Sequence, residues 1–426
     1  MTLARTQPDI HDAIDFDYNL PPIQQQQLKN GLPIYWLNAG VQDVAEINWV
    51  FPAGMWYEPK AAVANATAGM LKNGTAKRTA AQINEALEFY GASLSANTGN
   101  DFATVTLHTL TKHLPALLPV VYEILTEAIF PEAELEIHKR NAIQRLLVNL
   151  RECEFVANQR IDALLFGEDH PYGRFTKQDK IEAVTRQDVL DFYRTAYSLE
   201  GVKIFMAGRI TEEHVQHVDA VFGNVPIQPK VIITPEYTVP PAHPVQEHTS
   251  NDENGVQGAI RVARLFPNRH HPDYAPMVVL NTLFGGYFGS RLMSNIREDK
   301  GYTYGIYSSL SPLVNGGSIT IHTEVGRDVV KPATKEIYRE MELLCNEEAD
   351  EEELLLVKNY LLGGLLGDLD GPFSILQRWR TLILNGFTED HFNNNIHIYK
   401  TVTPAELKAL AQKYLRKEDY YEVVVI

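Results

Sequence analysis

The chain echoes itself at half its length, and that echo limits the folds open to it. The string "VTLHT" begins at Val105 and "ITIHT" at Ile319, 214 residues later, while "FP" at Phe51-Pro52 recurs at Phe266-Pro267, 215 residues later. The surroundings repeat too. Each alternating, β-branched string precedes an amphipathic helical pattern, "HLPALLPVVYEILTEAI" in the first half and "VVKPATKEIYREMELL" in the second. A second helical pattern follows in each, "AELEIHKRNAIQRLLVNL" and "EEELLLVKNYLLGGLL". Matches at nearly one offset with one element order indicate a tandem duplication.

The joint falls at residues 225–248, where Pro226, Pro229, Pro235, Pro240, Pro241 and Pro244 fix φ and remove donors, which makes a stiff extended linker. The expected division is an N-terminal domain over residues 1–228, a Pro-rich linker over 229–248 and a C-terminal domain over 249–426. Strand patterns such as "VAEINWVF", "VKIFMAG", "AIRVARLF" and "YEVVVI" occur both in neighbouring runs and between helices. The expected fold class is therefore α+β, with helices covering a mainly antiparallel sheet in each half.

Bulk properties exclude several functions. No apolar run of about 18 residues is present to span a membrane, since Lys358 and Asn359 interrupt the best candidate. The N-terminal "MTLARTQPDIHDAIDFD" lacks an apolar leader core, so a cytoplasmic location is expected. Cys153 and Cys345 are the only cysteines and lie far apart, which argues for free thiols rather than a disulfide framework or a cysteine zinc site. A net charge of −16 disfavours nucleic acid; it reads as solubility, with basic peptides as the alternative. The acidic run at 346–353 reads as the solvated first turn of a helix.

The 14 histidines form no metal motif. His214 and His217 are three apart on a helical pattern, with Glu213 facing elsewhere, and read as surface residues. His270 and His271 precede Pro272 in a loop, His170 sits in a turn, and His391 and His397 read as packing and surface residues. A zinc site needs three or four converging ligands, and neither His-Glu-x-x-His nor its inverse occurs. Ser290 lies in a glycine-rich loop without an identifiable His partner, and "FGGYFG" lacks the Lys-Ser/Thr ending of a phosphate loop. What remains is residues 285–311, "GGYFGSRLMSNIREDKGYTYGIYSSLS": a short helix carrying Arg291 and Arg297, then Gly301, then a strand with Tyr302, Tyr304 and Tyr307. Composition alone allows two readings of it, a packed helix–strand corner or a set of donors for a peptide carbonyl.

These stretches, over nearly the whole chain, resemble the pitrilysin/insulinase-like zinc peptidases in their bacterial, mitochondrial-processing-peptidase-like branch. In the first half the matching positions are Gly74, Thr75, Arg78, Glu88, Gly91, Ala92, Ala96, Thr98 and Asp101; in the second they are Gly289, Ser290, Arg291, Leu292, Ile296, Arg297, Glu298, Gly301 and Tyr304. The resemblance implies two homologous domains forming half of a clamshell chamber. It also implies a zinc motif, His-x-x-Glu-His, which aligned through Met70, Leu71, Gly74 and Thr75 falls on Asn65, Ala68 and Gly69. Both His and the general-base Glu are replaced. The stretch matching the third ligand, residues 139–150, has no carboxylate, with Glu136 and Glu152 flanking it. Ser95 stands where the family often has Asn. In two-chain relatives the chain without zinc ligands supplies an Arg and a Tyr, which here are Arg297 and Tyr304.

The implied function is a non-catalytic, substrate-binding subunit of a heterodimeric zinc peptidase. It would hold no cofactor itself, and its partner would be a homologous catalytic subunit with an intact zinc motif. The substrate would be a peptide, with no nucleic acid or membrane partner, and a homodimer is possible in isolation. The alternative is a non-proteolytic scaffold or peptide-binding protein of the same fold.

Overall fold

A computed structural model describes residues 11–227, 234–251 and 255–426. Residues 229–233, the first part of the expected linker, lie outside the described residues.

The first half contributes strands β1 (Gln24–Gln27), β2 (Pro33–Asn38), β3 (Val44–Phe51), β4 (Ser93–Thr98), β5 (Ala103–Leu110) and β6 (Lys203–Gly208). Its helices are α1 (Val63–Met70), α2 (Ala80–Glu88), α3 (Leu114–Glu127), α4 (Glu132–Asn149), α5 (Cys153–Phe166), α6 (Gln178–Glu182), α7 (Arg186–Ala196) and α8 (Glu212–Phe222). The second half contributes β7 (Gln246–Thr249), β8 (Gln257–Leu265), β9 (Thr303–Leu313), β10 (Gly316–Gly326) and β11 (Tyr421–Val425). Its α-helices are α9 (Tyr274–Asn281), α10 (Val330–Asn346), α11 (Glu351–Asp368), α12 (Pro372–Leu384), α13 (Glu389–Thr401) and α14 (Pro404–Tyr414).

The sheets show the duplication directly. The first runs β1-β2-β6-β3-β5-β4 and the second β7-β11-β8-β10-β9. Dropping β1, the two orders superpose strand for strand. Each has one parallel pair, β2/β6 or β7/β11, in an otherwise antiparallel sheet. "VTLHT" lies in β5 and "ITIHT" in β10, the equivalent strands. The expected α+β class with two helix-covered sheets is thus found.

Side chains of period 2 divide each central strand between two cores. Ile34 and Trp36 of β2 and Ile204 and Met206 of β6 join the large core under α1, α3 and α7. The alternate residues Tyr35, Leu37, Phe205 and Ala207 enter a second core with Leu362, Leu376, Trp379 and Phe392. That second face is covered by helices of the other half. The exchange is reciprocal: α5, from the first half, lays Ala157, Ile161 and Leu165 against Ala259, Ala263, Val423 and Val425 of the second sheet. In element order α5 and α12 are equivalent, so each half lends the same helix to the other. Each fully buried large apolar side chain in these layers contributes about 1.5–3 kcal/mol, so the two sheets are held together as strongly as a core.

Candidate functional site

Two corners, α1 with β4 and the 282–313 segment, carry the sequence-predicted residues. Helix α1 is built from small residues and has no side-chain N-cap of its own; Ala62 precedes it at φ 76°. The cap comes from Glu58, whose Oε2 accepts the Ala64 N–H at 2.9 Å, while Arg174 Nη2 lies 3.1 Å from Oε1. A carboxylate at a helix N-terminus satisfies an orphan donor. Burial nevertheless pushes the Glu58 carboxyl up to about 7, against the opposing pull of Ala64 and Arg174. After α1, Gly74 turns at φ 140°, a conformation side chains avoid. Thr75 and Arg78 both bond the buried Glu123 of α3 and clasp the turn to it. The resemblance residues in this half hold backbone: Asp101 accepts from Tyr172 and from the Val314 N–H, tying the two halves.

Asn65, Ala68 and Gly69 line one cavity of about 410 Å³, bounded by α1, β4, α4 and α6. None of the three supplies a metal ligand. The space beside Gly69 is taken by His138 of α4, since a Cβ at Gly69 would lie 2.8 Å from its Cε1. Burial, and then Arg145, hold the His138 imidazole below its usual pKa, which keeps it neutral. Glu136 and Glu152 do not line the cavity: Glu136 bonds Lys139 at 3.0 Å and Glu152 precedes α5. Among the described residues no group of three or more His, Cys, Asp or Glu converges. The residues present do not fit zinc.

In the second half, residues 282–286 and 293–299 form wide helical turns. Gly285 lets the first pack on β9, because a Cβ there would meet Ser308 N at 2.7 Å. Arg291 is not free for a ligand; its Nε and Nη2 hold both oxygens of Glu353 at 2.9 and 2.8 Å. This corrects the reading of the acidic run as merely solvated, since Glu353 anchors the corner. Ser290 Oγ is buried without a partner among the described residues.

Arg297 and Tyr304 come together. The Arg297 Cζ lies 5.8 Å from the Tyr304 ring centre and 4.5 Å from that of Phe288. Tyr304 is 94 % exposed, and its hydroxyl has no partner among the described residues. Two aromatic rings therefore frame a half-buried guanidinium, whose Nη1 also lies 3.9 Å from Glu298 Oε1. Beside them a cavity of about 570 Å³ is lined by Tyr302, Tyr304, Tyr307, His322, Glu154 and Glu324. Such a corner can donate hydrogen bonds to carbonyl oxygens of an extended peptide.

Sequence reasoning missed Phe288, whose only signal is its exposure between glycines, and Glu58 and His138, which act through tertiary placement. His214 accepts from the Thr211 N–H and His271 from the Asp273 N–H. His217 lies 4.0 Å from Glu213, so Glu213 shares its helix face, contrary to expectation, because residues four apart align. His270 packs on Phe387, as does His391, and His170 is buried among Trp56, Phe166 and Tyr172.

Two family models match, "Insulinase (Peptidase family M16)" over residues 36–167 and "Peptidase M16 inactive domain" over residues 183–361. The chain belongs to the M16 peptidase family. An uncharacterised zinc protease of Mycobacterium leprae is 23 % identical over 351 residues, 82 % of this chain and 79 % of that one. Among solved structures, an M16 inactive domain from Pseudomonas fluorescens superposes with a TM-score of 0.83 at 22 % identity, covering 95 % of this chain and 98 % of that one. A protease from Helicobacter pylori gives 0.86 at 16 % identity, covering 96 % and 100 %. At these identities the structures establish the fold alone. No helix among the described residues is long and apolar enough to cross a membrane.

Proposed function

We propose that this M16 chain is the non-catalytic, substrate-binding subunit of a heterodimeric zinc peptidase. Its partner is a homologous chain that carries the zinc ligands this one lacks. The observation that supports the reading most is the contrast on one molecule: a first corner without ligands, and a second that holds Arg297 and Tyr304 side by side with the Tyr304 hydroxyl free. In the assembled enzyme Arg297 takes a backbone carbonyl of the bound peptide, and Tyr304 donates its O–H to the oxyanion that forms at the scissile carbonyl. A donor aimed at developing charge stabilises the transition state more than the ground state. A scaffold has no use for a guanidinium framed this way and a free phenol at one corner.

The test is affinity capture of this chain from its host, followed by mass spectrometry. A stoichiometric partner of similar length with an intact His-x-x-Glu-His is expected. Recovery of the chain alone, or with unrelated proteins, moves the weight to the scaffold or peptide-binding alternative.

A further inference from the structure

The first corner has lost its metal chemistry but not its polarity. The titratable residues lining its cavity are His138, Lys139 and Arg145, and no Asp or Glu lines it. This occurs on a chain of net charge −16, so the cationic lining is local. Lys139 is partly neutralised by Glu136 and His138 is neutral. Arg145 has no ion pair or hydrogen bond among the described residues, and the side-chain amides of Asn65, Asn97 and Asn149 are equally unpartnered there. A planar fork with several amide donors matches a planar, acceptor-rich anion. The lining also includes the apolar Leu146, Phe155, Ile181 and Val184. The rim is β4, which among the described residues is an edge strand paired only with β5. Apolar lining and an open backbone edge suit a ligand with amides and side chains beside its charge, rather than inorganic phosphate.

We propose that this cavity is a carboxylate-binding site for peptides, with Arg145 as the anion-holding residue and the Asn amides as secondary donors. Two sources present that chemistry, a peptide C-terminus and an acidic side chain. His138 occupies the space beside Gly69, so the ligand's room lies along Arg145 and the Asn amides. The site is separate from the Arg297–Tyr304 corner and does not rest on the heterodimer reading, so the isolated full chain is the proper sample.

The experiment is calorimetric titration at low salt with acetyl-Ala-Ala-Ala as the free acid, with its C-terminal amide, and with acetyl-Ala-Glu-Ala-amide. At least one carboxylate peptide should bind about tenfold or more tighter than the uncharged amide. Binding of the free acid alone assigns the C-terminus; binding of the Glu peptide assigns an acidic side chain. Arg145→Gln should erase the preference. Arg140→Gln, on the same helix but outside this cavity, should preserve it, and matched melting temperatures check that both variants fold. Equal binding of acid and amide, no saturable binding of either carboxylate peptide, or an unchanged preference in Arg145→Gln would each overturn the proposal.

Discussion

The two halves share one strand order, yet the corners that carry their sequence-predicted residues differ. In the first, everything that holds backbone remains: the Glu58 cap, the Gly74 turn and the clasp of Thr75 and Arg78 on Glu123. The residues that face the cavity there, Asn65, Ala68 and Gly69, supply no metal ligand. In the second, Arg291–Glu353 fixes the frame while Arg297 lies against the exposed Tyr304 ring. The comparison teaches that fold and chemistry in this architecture rest on different residues, often one or two positions apart.

The comparison breaks most visibly at Tyr304. Tyr304→Phe removes one hydroxyl from an exposed ring, and complex turnover should drop by about 10²–10³-fold with assembly unchanged, the usual cost of an oxyanion donor. Steady-state kinetics together with size-exclusion chromatography check both halves of that statement. An attempt to equalise the corners by rebuilding the zinc motif should fail. In Asn65→His/Ala68→Glu/Gly69→His the new side chain at 69 collides with His138. Denaturant unfolding should show a loss of about 1–3 kcal/mol from overpacking, and metal analysis should find no stoichiometric zinc. The frame of the second corner is worth less. Arg291→Met leaves the partly exposed Glu353 without its fork, for a loss of about 1 kcal/mol by the same assay.

A pH effect sharpens the first corner. The Glu58 carboxyl sits above its ordinary range because it is buried. A raised folded-state pKa means its contribution is complete in acid and is lost as pH rises through about 7. The melting temperature of the wild type relative to Glu58→Gln should therefore rise on going from about pH 8 to about pH 5. An unchanged or falling difference would show that Glu58 is ionised throughout.

Much of this was legible in the sequence, and the exceptions have a common cause. The echo of "VTLHT" in "ITIHT" marked β5 and β10 because alternation is a local property. Arg297 and Tyr304 are singled out by the family resemblance, since their spacing alone leaves a packed helix–strand corner equally open; one helix end, Gly301 at φ 63° and one strand start then bring them together. The exchange of α5 and α12 was not legible. The apolar spacing of Ala157, Ile161 and Leu165 declares a buried face but not the sheet that buries it. Glu353 was read as solvated because its partner lies 62 residues away. His138 stood in a helical pattern, and nothing local says that its ring fills the room beside Gly69.

One measurement goes to the central claim, that the surviving corner works in trans. Hydrolysis of a fluorogenic peptide is followed for this chain alone, for the homologous zinc-bearing chain alone, and for their mixture, with wild-type and Tyr304→Phe forms of this chain. The account predicts activity in the mixture only, and its near loss with Tyr304→Phe while the complex still forms. Full activity of the zinc-bearing chain alone, or equal activity of the mixture with Tyr304→Phe, would contradict it.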